Sequence, residues 1–248
     1  MDDDVHKEDQ KPSKSDEYDG WGFDLFPERR GSFKPSLKNI LFKGRGKENI
    51  ERIKCEGKVA YCLNKSPLVR IMLGALRKSG CEISPSRHIA CEYCDQSVHG
   101  GYDPIMNQIV ICQNTATSKG TIQGVLSHEL IHMFDNCTRK LDFRNIEHLA
   151  CTEIRAANLT HCGLISSMLE GHSSPFNFKK KHQDCVKHKA VVSVLAVRNV
   201  TFEQATQAVD KVFDRCYADL EPIGRRIKGK LVDYDLAYAE AFLMGYDI

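Results

Sequence analysis

His128-Glu129-Leu130-Ile131-His132 sets two imidazoles four residues apart with a carboxylate beside the first. On an α-helix, positions i and i+4 stack on one face, so both rings reach one metal ion while Glu129 leans over an open coordination position. Two imidazoles, a third protein ligand and a water complete tetrahedral zinc, and the ion lowers that water's pKa from about 15.7 to about 7. The pattern points to a zinc hydrolase with His128 and His132 as ligands and Glu129 as general base. In a chain with ten histidines five residues also arise by chance, so the flanking sequence has to carry the reading.

The flanks read as helix. From Thr121 to Phe134, Ile122, Val125, Leu126 and Ile131 or Phe134 recur at helical spacing without a proline, and Ser118 or Thr121 supplies a cap. A second helix is expected over Ile146 to Leu159, with a stripe of Leu149, Ala150, Ala156 and Ala157 that includes Glu153. Small residues let helices approach closely, and a carboxylate buried among them has to be paired or to bind metal. Glu153 is the preferred third ligand, with Asp135 and His148 as alternatives. Asp135, one turn beyond His132, is also placed to accept the second N–H of that imidazole. Ahead of the motif, Gly100-Gly101 reads as a turn and Gln108 to Cys112 as a short strand. That strand is expected at a sheet edge, where an extended substrate would pair with it.

Several further stretches join the motif in one resemblance. They are Arg87-His88, Cys91-Glu92-Tyr93-Cys94, Gln108 to Asn114, His128 to Asp135, His148 to Leu159 and Leu195 to Asn199. Together they resemble the mitochondrial inner-membrane zinc metalloprotease and ATP synthase assembly factor family, whose animal relatives are described as Ku-binding proteins. The similarity runs over about residues 50 to 230. It implies an α+β, zincin-like endopeptidase fold with a small sheet, an active-site helix and additional C-terminal helices. It implies a Zn2+ cofactor and a protein substrate, the precursor of a mitochondrially encoded ATP synthase subunit. It also implies peripheral association with the inner membrane on the intermembrane-space side, and a chaperone-like role in assembly. A non-proteolytic assembly factor keeping the same fold is the first alternative. A nuclear DNA-repair partner is the second, and it lacks any recognisable nucleic-acid module, so no nucleic acid is expected.

Composition sets the frame. At 248 residues and 42% hydrophobic content, one domain with a sizeable core is the economical expectation. Residues 1–20 hold eight acids, three lysines and almost no large apolar side chain, so they are expected to be disordered. Residues 21–50 are expected to be a basic linker or docking segment, with Trp21, Phe23, Leu25 and Phe26 docking on the body, and 51–248 the peptidase domain. Nine Lys or Arg face four acids over residues 21–54 while the whole chain is only +2. No apolar run approaches the roughly 18 residues that cross a bilayer. The start, Met1-Asp2-Asp3-Asp4, is acidic where a matrix presequence is basic.

Eleven cysteines favour an oxidising compartment, and an odd number leaves at least one thiol free. Cys91-x-x-Cys94 has a second reading as half of a structural zinc site completed by His88, Cys81 or Cys112; disulfides are preferred. Ser66-Pro67 opens a helix that Gly80 ends. Cys81–Ile83 and His88–Cys91 are strand candidates. Cys185–Arg198 reads as an apolar helix, and Thr201-x-x-Gln204 as a capping box opening another that runs to Tyr217. Antiparallel packing of those two predicts a Cys185–Cys216 disulfide. The loop Gly171–Lys181 is expected to be mobile. For the oxyanion, His148, His161, Arg155 and several tyrosines are candidates.

Overall fold

Ile109-Val110-Ile111-Cys112 breaks the in–out alternation of a one-sided strand, and an all-apolar strand needs cover on both faces. In the computed structural model, which describes residues 25–29, 45–139, 141–162, 178–227 and 231–248, that strand is the centre of a three-stranded sheet. Strand β1 is Ile89–Glu92, β2 is Gly100–Asp103 and β3 is Gln108–Cys112, in the order β1-β3-β2. β1 runs parallel to β3, and β2 antiparallel to it with Gly101 opposite Val110. The expected edge strand is therefore central. The edges belong to β1 and to β2, the latter read from sequence as a turn because two glycines open it.

Both glycines are required by close approach. A Cβ at Gly100 would stand 2.5 Å from the Val110 carbonyl oxygen and collide with Val125, and one at Gly101 would meet the Phe26 ring at 2.8 Å. No alternating side-chain pattern marks such a strand, so only pairing with β3 makes it one.

Among the described residues eight helices accompany the sheet: α1 Arg45–Lys65, α2 Pro67–Lys78, the single turn α3 Pro85–His88, α4 Lys119–Thr138, α5 Ile146–Ala156, α6 Phe178–Val197, α7 Phe202–Ala218 and α8 Leu231–Leu243. A π-helical turn, Ala157–His161, continues α5. Several starts follow local chemistry. Pro67 begins α2, and Gly80 at φ +79° turns the chain out of it. The Ser118 hydroxyl caps α4 by accepting from the Thr121 N–H, and both bonds of the Thr201–Gln204 capping box are made. Boundaries differ from the sequence reading elsewhere. Cys81–Ile83 is irregular, β1 lies one residue later than expected, and α6 starts seven residues early. Helix α1 begins at Arg45 and runs through the boundary drawn at residue 50.

The apolar side chains form two large cores. The first joins Val69, Ile71, Met72 and Leu76 of α2 with Ile109 and Ile111 of β3 and Ile122, Leu126 and Leu130 of α4. The second joins Leu149, Ala150 and Ile154 of α5 with Val186, Ala190 and Val194 of α6 and Val209 and Phe213 of α7. Helix α5 is the wall between them, sending Ala156 into the first and Leu149, Ala150 and Ile154 into the second. It is thus buried nearly all round rather than along one stripe, and its polar Thr152, Glu153 and Arg155 are buried with it.

Five disulfides close the fold: Cys55–Cys91, Cys81–Cys137, Cys94–Cys112, Cys151–Cys216 and Cys162–Cys185. Cys62 is a buried free thiol. The predicted Cys185–Cys216 bridge is not formed. Helix α5 and its π turn pack against both α6 and α7, so each cysteine meets a partner there instead of on the sister helix. Cys91 and Cys94 are likewise both in disulfides and leave no thiolate for a second zinc. The expectations for residues 1–20 and for the loop from Gly171 as far as residue 177 lie outside the described residues. Among the described residues no helix is long and apolar enough to cross a membrane.

Candidate active site

The site lies where α4 meets α5. On α4, Ile122, Leu126 and Leu130 anchor one face in the first core, each burial contributing about 1.5–3 kcal/mol, and this turns His128 and His132 toward α5. Their Nε2 atoms are 3.1 Å apart. Glu153 comes in from α5, its Oε2 3.4 Å from His128 Nε2 and its Oε1 3.5 Å from His132 Nε2. Glu129 also brings a carboxylate oxygen within 4.8 Å of both imidazole donors. Both carboxylates thus flank the rings, but Glu153 touches the two nitrogens, whereas Glu129 is the outer one. Asp135 and His148 do not join the group. The His148 Nδ1 accepts from the Asp142 N–H outside the site.

Asp135 acts at one remove. The Thr152 hydroxyl donates to Asp135 Oδ2 at 2.8 Å, and its one proton is then spent, so at 2.9 Å it accepts from His132 Nδ1–H. This fixes the tautomer: the proton sits on Nδ1 and the Nε2 lone pair faces Glu153. The expected direct Asp135–His132 contact is replaced by this relay. Asp135 in turn binds Arg155, Nη2 to Oδ1 at 2.8 Å with the two side chains 1% and 2% exposed. Arg155 continues to Asp219 at 2.5 Å and to the Glu221 carbonyl at 2.8 Å. That commitment removes Arg155 from the candidates facing a substrate. Three polar residues within one turn of an Ala-rich helix were the visible signal for the relay, and only the fold shows which partner each takes.

Two further groups complete the surroundings. Ser193 of α6 hydrogen-bonds to Glu153. His161, on the π turn, has its ring centroid 4.9 Å from that of His128, and the adjacent Cys162 is tied to α6 by its disulfide. His128, Glu129, His132, Glu153 and His161 all line one open cleft of about 320 Å³, floored on the other side by β2 residues Gly100 to Tyr102. π turns are concentrated at functional sites because the inserted residue re-aims a side chain.

Electrostatics show what the cleft lacks. Burial pushes the Glu129 carboxyl up to about 7, with the His128 charge opposing and Glu153 reinforcing the rise. Burial also keeps His132 neutral, and together with His128 and Lys189 it pushes His161 down to about 3. For Glu153 burial works against ionisation, but the neighbouring rings outweigh it and hold the carboxyl low. At His128 burial is outweighed by Glu153 and Glu129, which raise it, so two carboxylates face one ring drawn toward its charged form and two neutral ones, and Glu153 Oε2 is buried with no hydrogen-bond partner among the described residues. A divalent cation answers that deficit. Ligand bonds of about 2.0–2.1 Å in a tetrahedron place donor atoms about 3.3 Å apart, and the three separations here are 3.1, 3.4 and 3.5 Å. The residues fit a metal.

Two imidazoles one helical turn apart, a carboxylate between them and a pocket short of positive charge are the chemistry of metallopeptidases that carry His-Glu-x-x-His on a helix. Known sequences narrow the class. The chain belongs to the peptidase M76 family, whose profile matches residues 53–224. It is similar to a Xenopus laevis protein named mitochondrial inner membrane protease ATP23 homolog, 42% identical over 92% of this chain and 94% of that protein. The human homolog of the same name is 44% identical over 69% of this chain and 70% of its own length. A Saccharomyces cerevisiae protein named mitochondrial inner membrane protease ATP23 is 35% identical over 81% and 88%. No solved structure matches. The fold is accordingly zincin-like, and the chain is a metallopeptidase.

Proposed function

We propose that this chain is a zinc endopeptidase in which His128, His132 and Glu153 hold the ion and Glu129 is the general base. The convergence of two imidazole nitrogens and the Glu153 carboxylate within 3.1–3.5 Å carries the reading. Nitrogen-rich donor sets suit zinc, whereas calcium and magnesium prefer all-oxygen sets. When bound, zinc supplies a Lewis acid that polarises the scissile carbonyl and acidifies a water. Glu129 takes the proton from the attacking water and returns it to the leaving amine, a task suited to a carboxyl that burial brings to about 7. Of the oxyanion candidates, His161 and Tyr102 line the cleft, and His161 is the one whose ring lies beside that of His128, centroids 4.9 Å apart. The His161 N–H is assigned to the oxygen that becomes negative. The edge strand β2 is assigned the pairing with an extended protein substrate.

The place of action is the mitochondrial inner membrane, peripherally and on the intermembrane-space side. The relatives' names support the membrane, and five disulfides suit an oxidising compartment. The substrate, the precursor of a mitochondrially encoded ATP synthase subunit, and the accompanying role in ATP synthase assembly rest on the resemblance of the residues quoted above.

Glu129→Gln is the test. Peptide cleavage should fall about 10²–10⁴-fold while one metal per chain is retained. A fully active variant overturns the mechanism. In cells lacking the native protein, the variant should let the precursor accumulate. If ATP synthase still assembles there, binding is the principal role and cleavage the secondary one.

A further inference from the structure

The outer face of the sheet is covered by a strap of which residues Leu25–Arg29 are described, and these lie outside the stretch matched to the family. Phe26 packs with Val98, Cys94, Val110 and Cys112 and lies directly over Gly101 of the edge strand. The strap is fastened at several points. The Asp95 N–H donates to the Leu25 carbonyl at 2.9 Å, and the Tyr93 N–H to Glu28 Oε1 at 3.0 Å. Arg29 pairs with Glu92 at 3.0 Å and Asp103 at 2.7 Å, its side chain only 7% exposed. Without Arg29 the sheet would hold two nearly buried carboxylates uncompensated, so the strap is built into the fold. Leu25 and Phe26 nevertheless remain half-buried, and both line the cleft that contains His128 and Glu129. Val98, Val125, Phe143 and Leu149 continue the same apolar lining.

We propose that Leu25 and Phe26 form the wall of a specificity subsite that takes a large aliphatic or aromatic side chain of the protein substrate. The inference rests on the peptidase reading and adds to it which residue type is selected and by what. An extended substrate alongside β2 passes Gly101, where the absent side chain leaves the Phe26 ring as the nearest apolar surface. Alternate substrate side chains point to opposite faces, so one of them meets the strap. Arg29 is a positioning residue, holding the wall without touching substrate.

The experiment uses the full chain and otherwise identical fluorogenic peptides carrying Leu, Phe, Ala, Ser or Asp at one position, scanned along the peptide. One position should favour Leu or Phe over Ser or Asp by tenfold or more. The double variant Leu25→Ala/Phe26→Ala should lower kcat/KM for the Leu and Phe peptides by about tenfold, equivalent to about 1.4 kcal/mol, and change the Ala and Ser peptides less than threefold. Arg29→Ala should reproduce that loss of selectivity and speed amide exchange at positions 26, 28 and 29. Binding of the same peptides to Glu129→Gln protein, read by fluorescence anisotropy, gives the preference without turnover, and melting temperatures report folding. Equal losses across all peptides, a uniform gain from unblocking the cleft, or no change would each overturn the subsite. The peptidase reading fails separately, if Glu129→Gln cleaves at the wild-type rate.

Discussion

The two wings of the site are built differently. The α4 wing carries His128, Glu129 and His132 on one continuous helix, and their mutual placement needs nothing beyond helical spacing. The α5 wing brings Glu153, Thr152 and Arg155 from a helix buried on all sides, where each polar group survives only through a partner on another element. Thr152 and Arg155 both reach Asp135 of α4, and Glu153 reaches both imidazoles. One wing is made by local geometry and the other by cross-helix satisfaction. A site assembled this way tolerates surface change but depends on its seam.

The sharpest way to break that contrast is to remove one ligand from each wing. His132→Ala and Glu153→Ala should each reduce turnover to background and lose stoichiometric metal by plasma mass spectrometry. Full metal occupancy in Glu153→Ala would show that the α4 wing suffices. Next in size is Arg155→Ala, which removes the main partner of buried Asp135 and leaves it the Thr152 hydroxyl and the more distant Arg139 at 3.6 Å, at a cost of about 3–5 kcal/mol. For a chain of this length that lowers the melting temperature by about 10 °C. An unchanged melting curve would mean the seam is not held there.

Thr152→Val keeps the shape and deletes the acceptor of His132 Nδ1–H. Metal affinity should fall about 10–100-fold, measured by competition with a chelator, with a far smaller stability change than Arg155→Ala. The smallest effect concerns the second core. His182, buried beside Tyr217 with its Nδ1 2.9 Å from the hydroxyl, is pushed by burial, and then by Arg226, down to about 4. The unfolded chain takes up that proton near the ordinary value of 6.5 and the folded chain does not. The stability it contributes is therefore present above about 6.5 and lost as pH falls toward 4. The melting temperature should decline over that window, and His182→Gln should flatten the decline.

How much of this was legible depended on range. The α4 helix, its Ser118 cap and the Thr201 capping box were readable because their determinants lie within four residues of one another. Glu153 was reachable as a buried carboxylate at a suitable interval, although its helix proved to be a wall between cores rather than a one-faced stripe. Strand β2 was misread because Gly100 and Gly101 show no alternation, and β3 was placed at the edge because its apolar run does not say how many neighbours it has. The cysteine pairs failed for a related reason: Cys185 reads as the start of its helix and Cys216 as the end of the next, but α6 begins seven residues earlier at Phe178, and α5 with its π turn stands within reach of both.

The sequence alone determined the imidazole pair, the base beside it and the helix that carries them, since four-residue spacing on a helix is enforced by backbone geometry whatever surrounds it. The tertiary structure decided the rest. Which carboxylate meets the rings, that Thr152 stands between His132 and Asp135, which cysteines join, and that residues 25–29 close one side of the cleft all depend on segments from 17 to more than 100 residues apart in number. Their approach is set by how two cores pack against a shared helix, and no local spacing encodes it.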